Sequence, residues 1–111
     1  MTASADLPAL LQRAAQALPG CIGVGPFGAV LKVNGELEGF NNHDGSLLQS
    51  RLEVVCREEI EARGWTWMSG VYAPGEYRAV VETPMGHWNE NAPTPAHALL
   101  AALLSAVEAQ A

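Results

Sequence analysis

The sequence predicts an α+β domain in which two β-hairpins, joined by a helix, form a four-stranded, mainly antiparallel sheet. Apolar residues recur with helical spacing at the start, in the middle and at the end of the chain. Strand-like runs flank Pro74-Gly75 within Trp65–Thr83, and Asn34-Gly35 is a strong hairpin signal. The order is therefore α-β-β-α-β-β-α, and three helices favour an α/β/α sandwich with helices on both faces of the sheet. Residues 1–111 form a single domain.

The first helix is predicted to start after Asp6, which can cap it, and to end at Pro19-Gly20. Its apolar stripe consists of Leu7, Leu10, Leu11, Ala14, Ala15 and Leu18.

A glycine-rich stretch, Cys21–Gly28, follows, and Gly23, Gly25 and Gly28 meet the spacing G-x-G-x-x-G. The dinucleotide fingerprint needs a strand before it and a helix after it, whereas here a helix precedes and a strand-like run follows. An irregular loop or a bulged edge strand is therefore favoured over a nucleotide site.

The first hairpin pairs Phe27–Val33 with Glu36–Phe40 around Asn34-Gly35. A register that places Val33 opposite Leu37 keeps apolar residues together, so we expect a bulge or a three-residue loop here.

The central helix is predicted to begin after Ser46, which forms a capping box with Gln49, and to end at Gly64. Glu59 and Arg63 stand at i,i+4 on its solvated side. Its buried stripe consists of Leu48, Leu52, Val55, Cys56 and Ile60.

A four-residue loop at Ala73–Glu76 would place Tyr72 opposite Tyr77 in the second hairpin. Met68, Tyr72 and Val81 then share an apolar face that meets a helix. Trp65 and Trp67 lie on the other face, which a second helical layer would cover.

Pro84–Ala92 is predicted to be a loop, and the last helix runs from the N-cap Thr94 to about Glu108. This helix is apolar nearly all round, so it is buried on more than one side. Either it lies deep in the domain, or it contributes to a subunit interface through Leu100 and Leu104.

In the second half of the chain, Phe40-Asn41-Asn42-His43-Asp44 leads into a helix and Gly64 precedes the Trp65–Thr83 hairpin. Ala92-Pro93-Thr94-Pro95 then opens an Ala/Leu-rich helix. In these features residues 40–109 resemble the phage ABA sandwich domain, a family of phage and prophage proteins with an AP-x-A-like entry to the closing helix. The resemblance implies a helix–sheet–helix sandwich of phage or prophage origin, and it brings no catalytic residues with it.

The net charge of −6 and the six Lys and Arg residues argue against binding to nucleic acid or to an anionic membrane. The longest apolar segment, Ala98–Val107, is too short to span a bilayer, and the N-terminus has no secretory pattern. We therefore expect a cytoplasmic protein in which Cys21 and Cys56 are reduced.

Residue types that could bind a metal occur without metal-ligand spacing, so no metal and no cofactor is predicted. Solvated loop or capping positions are the favoured interpretation of these residues, which are His43, Asp44, His87, Glu90 and His97. Cys56 lies on an apolar stripe, which favours a structural thiol over a nucleophile.

The candidate ligand or partner surface comprises Trp65, Trp67, His87, Trp88 and Glu90, around a polar loop at Pro84–Pro93. The alternative is that the aromatic residues are core.

Because the sequence contains no catalytic constellation, the leading hypothesis is a non-enzymatic protein-interaction or structural module that forms a homodimer or binds a protein partner. The alternative is a small-molecule-binding domain or minor enzyme that uses the Pro84–Pro93 loop.

Overall fold

The computed structural model describes residues 7–19, 22–25, 28–33, 36–39 and 45–110, and side chains at 9–19, 22 and 50–110. The elements are α1 (Leu7–Ala17), β1 (Ile22–Gly25), β2 (Gly28–Val33), β3 (Glu36–Gly39), α2 (Gly45–Ala62), β4 (Thr66–Ala73), β5 (Glu76–Thr83), β6 (Gly86–Ala92) and α3 (Pro95–Gln110). The predicted α+β class is confirmed. The predicted single four-stranded sheet is wrong, because the described strands form two three-stranded antiparallel sheets, β1-β2-β3 and β4-β5-β6.

The two additional strands are β6, in a stretch predicted to be a loop, and β1, in a stretch predicted to be an irregular loop or a bulged edge strand. β1 lies in the glycine-rich stretch and pairs with β2 without a bulge, with Ile22 opposite Leu31 and Gly25 opposite Gly28. It is an edge strand, the alternative that was weighed against a nucleotide site. Because β2 follows where the dinucleotide fingerprint needs a helix, the structural context of that fingerprint is not met.

The first hairpin has the shorter register: Val33 pairs with Glu36 and Leu31 pairs with Glu38. The predicted register, with Val33 opposite Leu37, is therefore wrong. Asn-Gly strongly favours a two-residue connection, and this turn preference outweighs the better matching of side chains in the longer register. Asp6, His43 and Asp44 lie outside the described residues, as do the side chains of Ser46, Leu48 and Gln49.

Helix α3 is the centre of the fold. It contacts the second sheet on one side, mainly β5 and β6, and it also contacts α1 and α2. The first sheet packs against α1 and α2 through β1 and β2. The helices therefore lie between the two sheets, and the second sheet has a helix on one face, where two helical layers were expected.

The predicted helical stripes are the core. On α1 and α2, the residues of these stripes that are buried are Leu10, Leu11, Ala14, Leu18, Leu52, Val55, Cys56 and Ile60. On α3, every residue from Ala96 to Leu104 is buried. The prediction that α3 is buried on more than one side is confirmed, because it is enclosed by helices and a sheet together.

The end of α2 is a Schellman motif, as its glycine predicts. Gly64 has φ +76°, its N–H donates to the Glu61 carbonyl at 3.0 Å, and the Trp65 N–H donates to the Ile60 carbonyl at 3.1 Å. These two bonds fix where β4 begins. The predicted pair of Glu59 and Arg63 forms an ion pair at 2.6 Å.

The start of α3 is also as predicted. The Thr94 hydroxyl oxygen accepts a hydrogen bond from the His97 N–H at 3.2 Å, and Pro95 is the first helical residue.

The register of the second hairpin differs from the prediction by one residue. Trp67 lies opposite Val81, and Val71 lies opposite Tyr77. Ala73 then pairs with Glu76, so that Pro74-Gly75 forms a two-residue turn and Tyr72 is the extra residue of a bulge. A one-residue slip exchanges the two faces of β4. Trp67 therefore faces α3, while Met68 and Tyr72 face away from it.

Candidate interaction surface

Of the large apolar side chains that are exposed in the described part of the chain, three lie on β4. Met68 is 66% exposed, Val71 is 73% exposed and Tyr72 is 55% exposed. Together with parts of β5 they line an open depression of about 240 Å³. We call this region the β4 surface, and it consists of Met68, Ser69, Gly70, Val71, Tyr72, Arg78 and Val80. Contiguous apolar exposure of this kind is typical of contact sites.

The backbone of β4 adds a second property to this surface. Among the described strands, β4 pairs only with β5, so one side of its backbone is a sheet edge. Thr66–Ala73 contains no charged residue and no proline. Natural proteins commonly protect an edge with charge or proline, so an uncharged edge of eight residues is open to pairing with another strand.

The opposite edge of the same sheet has a different character. β6 has the sequence GHWNENA, which includes a histidine, a carboxylate and two asparagines. Polar and charged side chains make this edge a poor template for further pairing. The two edges therefore differ in chemistry, and the unprotected one is β4.

A polar network holds the aromatic side of the β4 surface. The Arg78 guanidinium carbon lies 4.0 Å from the centre of the Tyr72 ring. Its Nε donates to Asn91 Oδ1 at 2.9 Å, and Asn91 Nδ2 donates to Glu76 Oε1 at 3.3 Å. The network spans all three strands, so Arg78 is held in place and in turn orients Tyr72 through a cation–π contact.

Trp65 and Trp67, both predicted to lie on a ligand or partner surface, pack against the core. The Arg63 guanidinium lies 5.2 Å from the Trp65 ring, and the Arg57 guanidinium lies 5.5 Å from the Trp67 ring. Trp67 Nε1 donates to Glu61 Oε2 at 3.1 Å. Trp67 thus contacts side chains of α2, and Trp65 contacts a side chain just after that helix. Both tryptophans pack against the core, as the predicted alternative has it.

His87, Trp88 and Glu90 do not form one site. They belong to β6 and not to a loop, and successive residues of a strand point to opposite faces. Trp88 lies opposite Val81 on the helix side, whereas His87 lies opposite Glu82 and is exposed on the other side. The prediction that Pro84–Ala92 is a loop is therefore wrong, because Gly86–Ala92 is a strand.

Glu90 shares the helix side of the sheet with Trp88. Burial raises the pKa of the Glu90 carboxyl above its usual value, and the Arg13 guanidinium on α1 offsets part of that rise. Arg13 also forms an ion pair with Glu108 of α3, in which both side chains are about half exposed. These three charged groups join α1, β6 and α3 at the surface.

Leu100 and Leu104 are fully buried inside the chain, at 0% exposure each. They are core residues and not surface residues, because α3 is enclosed on both sides. His97 is also buried. Within residues 7–110, apart from the segments that the structure does not describe, no three His, Cys, Asp or Glu side chains group as metal ligands would.

Sequence reasoning missed Met68, Val71 and Tyr72 as surface residues, and assigned Met68 and Tyr72 to the buried face. The signal that could have identified them is the alternation in Trp65–Tyr72, which places two tryptophans on one face. Burying two indoles removes more apolar area from water than burying Met68 with Gly70, so the tryptophan face is the better one to turn inward.

Comparison with protein-family models, with curated proteins and with solved structures gives no match. Among the helices of the described residues, none combines the length and the apolar character that crossing a bilayer requires.

Proposed function

We propose that this chain is a non-enzymatic protein-interaction module, and that the β4 surface is where it makes contact. The observation that carries the proposal is the combination of exposed Met68, Val71 and Tyr72 with an uncharged strand edge. An extended segment that adds to such an edge gains backbone hydrogen bonds, while the side-chain depression selects among sequences.

The β4 surface has the composition of a contact site. Aromatic residues, Met and Arg are enriched in the interiors of protein interfaces, and this surface contains one Tyr, one Met and one Arg. Arg78 also fixes the orientation of Tyr72, which lowers the entropy lost when a partner packs against the ring. The proposal includes the phage or prophage origin and the cytoplasmic location, both of which rest on the sequence alone.

The proposal is tested with two methionine variants of matched chemistry. Met68 is 66% exposed on the β4 surface, and Met85 is 71% exposed in the turn between β5 and β6. We expect wild type and Met85→Lys to self-associate or to bind peptides selected from a display library of extended sequences. We expect Met68→Lys to lose both properties, since it introduces a charge into the apolar depression.

The outcome against the proposal is equally specific. Suppose that wild type stays monomeric and binds no selected peptide at protein concentrations up to about 100 µM, a range that includes weak transient contacts. The β4 surface is then not a contact site. The same conclusion follows if Met68→Lys binds and self-associates as well as Met85→Lys does.

A further inference from the structure

We infer that the partner of the β4 surface is an extended, cationic segment of another protein, which adds to β4 as an antiparallel strand. The inference rests on the proposed function, because it uses the same surface, and it adds the chemistry of the partner. The segment has an apolar or aromatic residue opposite Gly70 and two Lys or Arg residues opposite Trp67 and Thr66. Counted along the partner from the apolar residue, these cations are the third and the fourth residues after it.

The regular part of β4 sets the length and the direction of the added strand. β4 pairs regularly with β5 from Thr66 to Val71, and the bulge between Val71 and Ala73 interrupts the ladder after that. The partner therefore has its regular edge between Thr66 and Val71. Both ladders of this sheet are antiparallel, and antiparallel pairs are slightly more stable per residue than parallel ones, which favours the antiparallel direction.

Gly70 provides the place for the apolar residue of the partner. It lies between Met68 and Tyr72 on the face of the sheet that is turned away from α3, and all three residues line the depression. A Cβ on Gly70 would meet no other atom within 4 Å, so the space above Gly70 on this face is open. A large side chain opposite Gly70 can lean over it and contact Met68 and Tyr72, as aromatic residues do beside glycines of an edge strand.

Two exposed carboxylates lie beside the first half of β4, one on each face of the sheet. Glu82 lies opposite Thr66 in the ladder and points away from α3, on the same face as the depression. Glu61 lies on the helix side, where its Oε2 accepts a hydrogen bond from Trp67 Nε1 at 3.1 Å. Among the described side chains, neither of these two carboxylates forms an ion pair.

The arginines near β4 do not neutralise these two carboxylates. Arg78 lies over the Tyr72 ring, Arg57 lies over an indole ring, and Arg63 forms an ion pair with Glu59. The chain as a whole has a net charge of −6. The negative potential at this end of the edge therefore attracts a cationic partner and accelerates its approach, whereas it repels an acidic one.

The alternation of side chains along a strand converts these two carboxylates into a pair of adjacent cations in the partner. The side chain opposite Thr66 lies on the face of Glu82, and the side chain opposite Trp67 lies on the face of Glu61. Because Thr66 is short, a Lys or Arg side chain opposite it can extend over it towards Glu82. The expected order in the partner is therefore one apolar residue, two strand-forming residues and two cations.

The first test compares four synthetic peptides whose ends are acetylated and amidated. TFTVKK has the expected order, TFTVQQ lacks the charges, KKVTFT has the same composition in the reverse order, and TATVKK lacks the aromatic residue. Binding to the full chain is measured by NMR titration of the backbone amide signals, which detects weak contacts and reports whether they are at β4. We expect the dissociation constant of TFTVKK to be at least about fivefold lower than those of the other three.

The second test removes the carboxylates from the chain. Glu61→Gln with Glu82→Gln keeps the side-chain sizes and an acceptor for Trp67, so the double variant should fold. It should bind TFTVKK about fivefold more weakly and TFTVQQ as wild type does. Glu108→Gln is the control, because it removes an exposed negative charge beside Arg13, on the β6 side of the domain, and should leave binding of TFTVKK unchanged.

The outcomes separate this inference from the proposed function. If any of the three control peptides binds as tightly as TFTVKK, or if the double variant binds TFTVKK as wild type does, the inference is overturned. It is also overturned if peptides selected from the library bind in a Met68-dependent way but TFTVKK does not, and the interaction module then remains in place. If no designed or selected peptide binds and wild type stays monomeric, the proposed function fails together with the inference.

Discussion

Trp67 lies directly opposite Val81 in the ladder between β4 and β5. Val81 is fully buried against the helical layer, so its partner must face that layer as well. This one pair decides that the tryptophan is packed inside and that its neighbour Met68 is exposed. The interaction surface proposed for this protein is a consequence of that register.

Because of this register, substitutions of the adjacent residues Trp67 and Met68 should have very different effects on the free energy of unfolding. We expect Trp67→Ala to lower the free energy of unfolding by about 3 kcal/mol, because it removes an indole that packs against the core and that donates to Glu61. Met68→Ala should change it by less than about 0.5 kcal/mol under conditions where the chain is monomeric. Urea denaturation of both variants measures the difference. A larger loss for Met68→Ala would show that the faces are exchanged.

Because α3 lies in the core, substitutions of Leu104 should strongly lower the folding stability. Leu104→Ala should cost about 3 kcal/mol of folding free energy, since the side chain is fully buried in the single chain. Leu104→Glu should fail to fold, because it would bury a carboxylate in the apolar core. The partly buried Val107 on the same helix is the control, and Val107→Ala should cost clearly less. A folded, stable Leu104→Glu would contradict the buried position.

The Schellman motif predicts a backbone effect at Gly64. Gly64→Ala should lower stability by about 1 kcal/mol, because alanine at φ +76° is strained and the space around the Cβ offers no compensation. Gly70 is the matched control: it also has open space around a Cβ, but its φ is not in the left-handed region. Gly70→Ala should be neutral or slightly stabilising in the monomer. Thermal unfolding of the two variants makes the comparison, and equal losses would argue against the motif.

The environment of Glu90 predicts a pH dependence of stability. Because burial raises the pKa of this carboxyl in the folded chain, the folded state holds the proton more tightly than the unfolded state does. The stabilisation that results is therefore complete below the pKa that Glu90 has in the unfolded chain. It is lost as the pH rises through the higher pKa of Glu90 in the folded chain. We expect Glu90→Gln to remove this loss, so that the variant gains stability relative to wild type as the pH rises from mildly acidic to neutral.

Arg13 provides the control for that measurement. Its charge lowers the pKa of Glu90, so Arg13→Gln should raise that pKa further, which a carbon-detected NMR titration of the Glu90 carboxyl reports directly. An unchanged or lower pKa in Arg13→Gln would mean that the two groups do not interact. Glu108, the ion-pair partner of Arg13, is about half exposed, so loss of that pair alone should have little effect on stability.

Much of the helical architecture could be predicted from the sequence because helical signals are local. The stripes of α1 and α2, the cap at Thr94 and the terminating Gly64 all depend on residues within one or two turns of each other. The strongly apolar composition of α3 likewise indicates a helix that is covered on several sides. Each of these features can be recognised without knowing what the helix packs against.

Whether a stretch forms a strand depends on the strand beside it, so for β6 and β1 it was the tertiary structure that decided their conformation. GHWNENA has no strand-like composition, yet it forms β6 because β5 offers it a complete ladder from Tyr77 to Thr83. The glycine-rich residues of β1 are extended because β2 lies beside them. Neither stretch has enough side-chain preference of its own to predict a strand.

What the sequence by itself determined was the class of the fold, the three helices, their buried faces and two strand-forming segments on either side of Pro74-Gly75. What only the tertiary structure decided was that β1 and β6 are strands and which register β4 adopts, and with that register the identity of its exposed side chains. The physical reason is that a slip of one residue costs little within an isolated hairpin but exchanges Trp67 for Met68 beneath α3. The free energy of burying the indole against the core selects between the two registers, and that burial exists only once the domain has assembled.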